Sequence, residues 1–358
     1  MSIIVPFDDG YFDILDDYTH SNHTVYVVDP STLPCEVRPL DAGAATALSV
    51  LLAAIFLLAI PGNLLVACVI AHSRRSLTAS DVYLFHLTVA DGLMALTVPF
   101  WAAALTHGWI FGDGMCKALN LIFEANFYTS ILFLACISVD RYLVIVHANE
   151  ALRSPQRKCS RLLCAAVWAF GSALALPALF NDATKLDQDS DRMLCTESFD
   201  IGSAPLWRMA TRGFRHIFGF LLPLAVMLSC YGITITRLLQ TRGFQKHRAM
   251  RVIVAVVVGF LLCWTPYHLA LMVDTLLRAE LIRFDCSMRQ AVSMALVLSN
   301  SLALLHSGIN PLLYAFVGEK FRKNMSTLLH RKVRQEGASG SKFSRSTSQT
   351  SDGHGAVA

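Results

Sequence analysis

Asp140-Arg141-Tyr142 sets a carboxylate, a guanidinium and a phenol in consecutive positions near the end of an apolar stretch that runs from Gly114 to about His147. The chemistry open to such a triplet is electrostatic: Asp140 neutralises Arg141 in one state and releases it to a cytoplasmic partner in another. The plain alternative is an interfacial anchor, with the Arg141 head snorkelling to lipid headgroups. A second constellation is more deeply apolar in its surroundings. Asp91 is an intramembrane carboxylate and therefore a functional-site candidate by default. Asn63 follows Gly62 in another apolar run, Asn126 and Ser130 stand four apart, and Ser307 and Asn310 three apart. Gathered in a bundle, these oxygens suit a hard cation such as sodium, or they form only a hydrogen-bonded knot that fixes helix packing. No His-Glu-x-x-His or nucleophile motif occurs, which argues against an intramembrane protease.

Positioning these residues requires helices that cross a bilayer. The 358 residues are 54% hydrophobic and 16% charged, with a mean hydropathy of +0.49, too apolar for an ordinary soluble domain. Seven runs are long enough to span: Ala44 to Ala71, Val82 to Leu105, Ala118 to Val146, Leu162 to Phe180, Phe214 to Leu239, Val252 to Leu277 and Ala291 to Val317. Cys116 and Arg141 are 25 positions apart, roughly 37 Å of helix, enough to cross. Lys and Arg gather after the first, third and fifth runs and in the tail, so the amino terminus lies outside. Met1 to Gly43 has no apolar h-region, so the first span is expected to direct insertion. The net charge of +4 sums over two opposed faces and points to no nucleic acid. The expected fold is an all-α membrane protein, a seven-transmembrane helix bundle over 44–317. It carries an acidic disordered N-terminus (1–43), a short amphipathic eighth helix (318–330) and a disordered Ser/Thr-rich tail (331–358).

The outer segments have their own chemistry. Residues 1–43 hold eight acids against one base, Arg38, with Tyr11, Tyr18 and Tyr26 among or near them, a context that suits sulfation. The segment is either a solvated tail or an electrostatic lure for a basic ligand, including Asp8, Asp9, Asp13, Asp16 and Asp17. Asn22-His23-Thr24 is a glycosylation sequon. Of ten cysteines, Cys35, Cys116, Cys195 and Cys286 lie outside, and four cysteines allow three connectivities. Pairing Cys116 with Cys195 and Cys35 with Cys286 would close the outer rim. Pro99, Pro177, Pro223, Pro266 and Pro311 punctuate five spans, as in a bundle built to rearrange.

With Asp140-Arg-Tyr ending the third span, Cys263-Trp-Thr-Pro266 in the sixth and Asn310-Pro-Leu-Leu-Tyr314 in the seventh, the chain resembles rhodopsin-like (class A) G-protein-coupled receptors. Asp140-Arg-Tyr-Leu-Val-Ile-Val-His-Ala148, Thr97-Val-Pro99 followed by Trp101, the acidic tyrosine-bearing N-terminus and the Cys35/Cys286 pair resemble the chemokine receptors. Arg248-Ala-Met-Arg251, Leu262 to Leu269 and Leu312 to Gly318 resemble the type 3 branch of the CXC receptors most closely.

The resemblance implies a receptor that binds a basic CXC chemokine outside and activates an inhibitory, Gi-type heterotrimeric G protein inside, driving leukocyte chemotaxis. Ligand contacts would come from the N-terminal acids with Tyr11 and Tyr18, then from Trp101, Phe123, Glu124, Tyr267, Asp274 and Asn300. Asp140, Arg141, Tyr142, Trp264, Pro266, Asn310, Pro311 and Tyr314 would switch the bundle, and Asp91, Asn126, Ser130, Ser307 and Asn310 would hold an allosteric sodium ion. Phosphorylated tail serines and threonines would meet receptor kinases and arrestin, and the eighth helix would meet membrane lipid. The sequence departs from the family pattern at Asn300, Leu304, Leu52 and Ala178 in the binding cavity, which bears on the identity of the chemokine. Acids expected to remain available around that cavity are Glu124, Asp274, Asp113, Glu197 and Asp200. The alternatives are a scavenger receptor that internalises chemokine without G-protein signalling and, more remotely, an ion-coupled transporter using Asp91.

Overall fold

The computed structural model describes residues 40–72, 77–147, 156–185, 191–199, 204–240, 244–279, 281–282, 286–317, 321–323 and 325–327. The N-terminal acids other than Asp41, the N-terminal tyrosines, Asn22, Cys35, Asp200 and the tail from 331 lie outside this set. Seven described helices are long and apolar enough to cross a membrane. They are α1 (Ala42–His72), α2 (Ala79–His107), α3 (Gly112–Val146), α4 (Gln156–Ala175), α5, α6 (Phe244–Arg278) and α7 (Cys286–Val317). Helix α5 runs without a break through Ala204–His216, a π turn at Ile217–Leu221 and Leu222–Gln240. Between α4 and α5, strands β1 (Asn181–Lys185) and β2 (Met193–Glu197) form an antiparallel hairpin that pairs Asn181 with Glu197 and Lys185 with Met193.

Local chemistry sets several of the boundaries. Thr78 and Asp81 make a capping box at the start of α2: Asp81 N–H donates to Thr78 Oγ1 at 3.3 Å and Thr78 N–H to Asp81 Oδ2 at 2.8 Å. Helix α4 gives way to the 3₁₀ turn Leu176–Phe180, which carries Pro177 in its first turn. The π turn has a covalent reason. Pro223 cannot donate to the carbonyl four residues back, and just before it the ladder shifts, with Leu222 N–H reaching Ile217 O five residues back. Pro61, Pro99, Pro266 and Pro311 all sit within helices, so the expected set of hinges gains one in α1.

Helix α3 is the hub, touching α2, α4, α5, α6 and the hairpin. Leu87, Met94, Ile131, Phe133, Met227, Phe260, Trp264 and Leu304 are buried along the bundle's interior, whereas Leu57, Leu64, Leu162, Leu228 and Leu262 are exposed and face lipid. Leu52 and Leu304 belong to this core. Phe321 and Met325, beyond α7, also pack against it, in two short helical segments at 321–323 and 325–327.

Helices α1 and α7 approach closely at Gly62. A Cβ there would stand 2.9 Å from Pro311 Cβ and 3.1 Å from its Cγ, and a proline ring on a packed helix cannot swing away. Gly62→Ala is therefore expected to lower stability by about 1–3 kcal/mol, the usual cost of overpacking. Gly114→Ala, which meets nothing within 4 Å, should match or exceed wild type. Thermal melting of both variants in lipid nanodiscs checks the pair, and equal melting would show that α1 and α7 part freely.

Candidate functional site

The polar side chains inside the bundle form three groups along its axis. The outermost is a charged cleft lined by Glu124, Tyr128, Ala178, Glu197, Arg212 and Arg215 among others. Arg215 pairs with Glu124 of α3 and donates to the Tyr267 hydroxyl of α6 at 2.6 Å, so one guanidinium ties three helices. Arg212 donates to Asp274 Oδ2 at 2.6 Å and to Glu197 Oε2 at 3.2 Å. Arg278 holds the same Asp274 oxygen at 2.8 Å, and Arg208 approaches Glu197 at 3.5 Å. This corrects the expectation of available acids. Glu124, Asp274 and Glu197 each already face a guanidinium, and Asp113 faces Lys117 at 3.5 Å. The reason is physical: a carboxylate withdrawn from water demands a cation, and α5 supplies it.

The rim above the cleft is stapled. Cys116 of α3 is bonded to Cys195 of β2, with Cα atoms 5.6 Å apart. Cys286 is likewise disulfide-bonded, while Cys35, its expected partner, lies outside the described residues. Lys117 pairs with Asp182 of β1 and donates to Asn181 O at 3.2 Å, pressing the hairpin onto α3. Trp109 N–H donates to Met193 O at 2.7 Å, and its ring lies 5.3 Å from Trp101, whose Nε1 donates to Thr97 Oγ1 at 3.2 Å. Phe123 is buried in the core cluster, and Asn300 is half-buried on α7.

The middle group surrounds Asp91, which is fully buried. Ser130 Oγ donates to its Oδ1 at 2.9 Å and Asn310 Nδ2 to its Oδ2 at 2.8 Å, joining α2, α3 and α7. Asn63 Nδ2 donates to Ser307 O at 2.9 Å, which brings in α1. Of the residues grouped from the sequence, Asp91, Ser130 and Asn310 are thus joined directly, Asn63 and Ser307 form a second pair, and Asn126 sits one turn before Ser130, its Nδ2 donating to Ile122 O at 2.6 Å. Asn126 Oδ1 and Asn63 Oδ1 are buried with no hydrogen-bond partner. Beside Asp91 and Ser130, those two carbonyl oxygens fit a hard cation, which takes oxygen donors. The set is not free of imidazole, however: His306 Nε2 lies 3.0 Å from Asn310 Nδ2.

Aromatic rings join the two groups. Trp264 stacks obliquely on Phe127 at 4.3 Å, meets Tyr267 edge-on at 5.8 Å, and reaches His306 at 6.3 Å. Gly219 makes room for this contact, since a Cβ there would come within 2.7 Å of the Phe127 ring. Towards the inner end, Asp140 accepts from Ser80 Oγ of α2, and among the described residues no ion pair joins Asp140 to Arg141. The expected latch thus has a different partner: the hydroxyl of a neighbouring helix satisfies Asp140. Ser138 Oγ and the Tyr231 hydroxyl lie 2.6 Å apart near this level, and the Tyr142 hydroxyl is 3.2 Å from His147 Nε2.

Arg208, Arg212, Arg215, His306 and Phe127 belong to these groups although no sequence motif singled them out. Their signal was present. The arginines recur on one face of a helix, but they lie at the start of a span whose apolar core begins at Phe214, whereas the helix begins ten residues earlier. His306 stands one turn before Asn310, an ionisable group in an apolar run.

Seven membrane-crossing helices around a buried carboxylate, with a guanidinium at the inner end of the third, define a class. A family model of the seven-transmembrane receptors (rhodopsin family) matches residues 62–314. C-X-C chemokine receptor type 1 of Oryctolagus cuniculus is 47% identical over 281 residues, covering 78% of each chain. The human type 1 receptor is 47% identical over 278 residues, 77% of this chain and 78% of its own. C-X-C chemokine receptor type 2 of Homo sapiens is 45% identical over 296 residues, 83% of this chain and 81% of its own. The chain belongs to the rhodopsin family and, within it, to the chemokine receptors, multi-pass plasma-membrane proteins that are not enzymes. The family is the one its motifs resemble; these three relatives are of types 1 and 2, whereas three short runs of the chain resemble type 3.

Two outcomes follow from this geometry. Arg215→Leu leaves Glu124 as a buried, unpaired carboxylate and should cost about 3–5 kcal/mol, most of it recovered in Glu124→Leu/Arg215→Leu; a double-mutant cycle in melting measures the coupling. The Lys117 ammonium beside Asp182 holds that carboxyl below the usual carboxylate range. A depressed carboxyl stabilises most above its ordinary value of about 3.9 and loses its contribution as pH falls through the lower folded value. Protection factors of the hairpin amides, with the intrinsic pH dependence of exchange divided out, should therefore be constant from neutral pH down to about 4 and fall only below it, and Asp182→Asn should abolish that acid limb.

Proposed function

We propose that the receptor captures a CXC chemokine through its acidic N-terminus and couples its outer cleft to an inhibitory, Gi-type G protein, directing leukocyte migration. The relatives carry the names of CXC chemokine receptors, and that family membership supports the ligand class. The observation that carries the mechanism is the unbroken succession of contacts from the cleft inward: Arg215 to Tyr267, Tyr267 to Trp264, Trp264 to His306, His306 to Asn310 and Asn310 to Asp91. A ligand shifts such a bundle only by binding one arrangement better than another.

The cleft's own charges narrow the ligand's chemistry. Among the described residues, these ion pairs set Arg208, Arg212, Arg215 and Arg278 against Glu124, Glu197 and Asp274, leaving a guanidinium in excess. The chemokine body is drawn by the acidic N-terminus, while the segment that enters the cleft carries a carboxylate and exchanges partners within this network. Sodium at Asp91, Asn126, Ser130, Ser307 and Asn310 would favour the arrangement seen in this structure, and reciprocity makes agonist and sodium lower each other's affinity by one factor. Receptor kinases and arrestin would act on the 331–358 tail.

Arg141 tests the coupling. On matched surface levels, Arg141→Ala should retain chemokine capture and lose suppression of cyclic AMP by at least tenfold, and Arg141→Lys should rescue poorly because a point charge lacks the planar fork of donors. Equal suppression by all three receptors would reduce Arg141 to an interfacial anchor. Chemokine uptake without suppression by wild type would establish the scavenger reading instead.

A further inference from the structure

Helices α5 and α6 face each other through two imidazoles. His216 Nδ1 and His268 Nδ1 are 3.1 Å apart, and the ring centroids 5.2 Å apart at an interplanar angle of 56°. His268 is only 3% exposed, with Phe220 stacked on it at 4.5 Å. The Nε2 atoms of both rings are buried and have no hydrogen-bond partner. A neutral pair sharing one Nδ1 proton leaves one ring with a buried Nε2–H and the other with a buried Nε2 lone pair, both unsatisfied, which is costly. That cost is the same whether the two Nδ1 atoms share a proton or a cation, so the case for a shared cation rests on their 3.1 Å separation.

We infer that His216 and His268 form a two-nitrogen site for a transition-metal cation of the Zn(II) or Cu(II) class, bridging α5 and α6. Nitrogens bound at about 2.0–2.1 Å in tetrahedral geometry lie about 3.3 Å from each other, so the two Nδ1 atoms already stand near the required separation. Small rotations of the rings aim both lone pairs at one point. Both imidazoles bind neutral: the ring that carried its proton on Nδ1 moves it to Nε2, so no net proton is gained or lost by the pair. Among the described residues no third His, Cys, Asp or Glu completes a cluster, so the remaining positions would be left to water, as in an open site. The cations nearest the pair, Arg215 and Arg212, oppose a metal, but each is held by a carboxylate, Glu124 for the first, Asp274 and Glu197 for the second. The site is therefore one of modest affinity, and imidazole donors select Zn(II) or Cu(II) over Mg(II) or Ca(II).

Its place gives it a consequence. His216 immediately precedes the π turn, and His268 lies one helical turn beyond Trp264 and two residues beyond Pro266. A metal across the pair fixes α5 against α6 beside the two backbone irregularities that could act as hinges, so any motion parting these helices must first break a coordinate bond. The inference stands independently of ligand and G-protein identity.

Cu(II) titration of the purified full chain in lipid nanodiscs, followed by electron paramagnetic resonance, tests it. Wild type should take one equivalent whose spectrum shows coupling to two imidazole nitrogens and which Zn(II), but not Mg(II), displaces. His216→Gln and His268→Gln should each lose that equivalent, and His216→Gln/His268→Asn, which keeps a hydrogen-bonding amide pair between the helices, should lose it while melting close to wild type without metal. Wild type should also melt at a higher temperature with Zn(II) and the double variant should not. The inference is overturned if wild type lacks a two-imidazole equivalent, if that equivalent survives in a folded variant, or if Zn(II) raises wild-type and double-variant melting alike.

Discussion

A carboxylate inside a lipid-embedded bundle has no water to solvate it, and the placement of nearly every functional side chain in this receptor answers to that constraint. Asp91 takes donors from α3 and α7, Glu124 takes a guanidinium from α5, and Asp274 takes one from α5 and one from its own helix. Because most of these partners stand on different helices, satisfying each charge also fixes a relation between helices. Hydrophobic matching cannot do this alone, since lipid tails are as apolar as the leucines that face them.

The same constraint makes the bundle convertible. A buried ion pair contributes little net stability over a well-packed apolar pair, yet breaking it without replacement is expensive. A ligand that offers its own charged group exchanges one partner for another at small net cost. Arg215 is placed for such an exchange: from α5 it pairs with Glu124 of α3 and donates to Tyr267 of α6, and that Tyr267 touches Trp264 edge-on. Below Trp264, the oblique Phe127 ring and the His306 imidazole carry packing to the Asp91 group, with Gly219 and the π turn giving the space.

The outer rim obeys a different chemistry. There a covalent bond, Cys116 to Cys195, and an ion pair accessible to solvent, Lys117 to Asp182, hold the β-hairpin over α3. These restraints hold the hairpin in register over the polar network beneath, and they act without any demand on the bilayer.

Much of this was legible in the chain itself. Hydropathy gave the seven spans because a bilayer imposes a length and a polarity on any helix that crosses it, and basic residues oriented them. Asp91 with Ser130 and Asn310 could be grouped because an intramembrane polar residue must find others. The triplet at Asp140 and the proline motifs named the class because they recur as fixed strings. Only the tertiary structure decided who pairs with whom. The acids of the cleft read as open because Arg208 and Arg212 lie just before the apolar window that begins at Phe214 and Arg215 at its first turn, and a window averages away the face on which they recur. Asp140 read as the partner of its neighbour Arg141, yet a helix sends adjacent side chains in different directions and a serine from α2 reaches it instead. The meeting of His216 with His268 depends on the added residue of a π turn and on the approach of two helices, neither of which any local pattern of residues specifies.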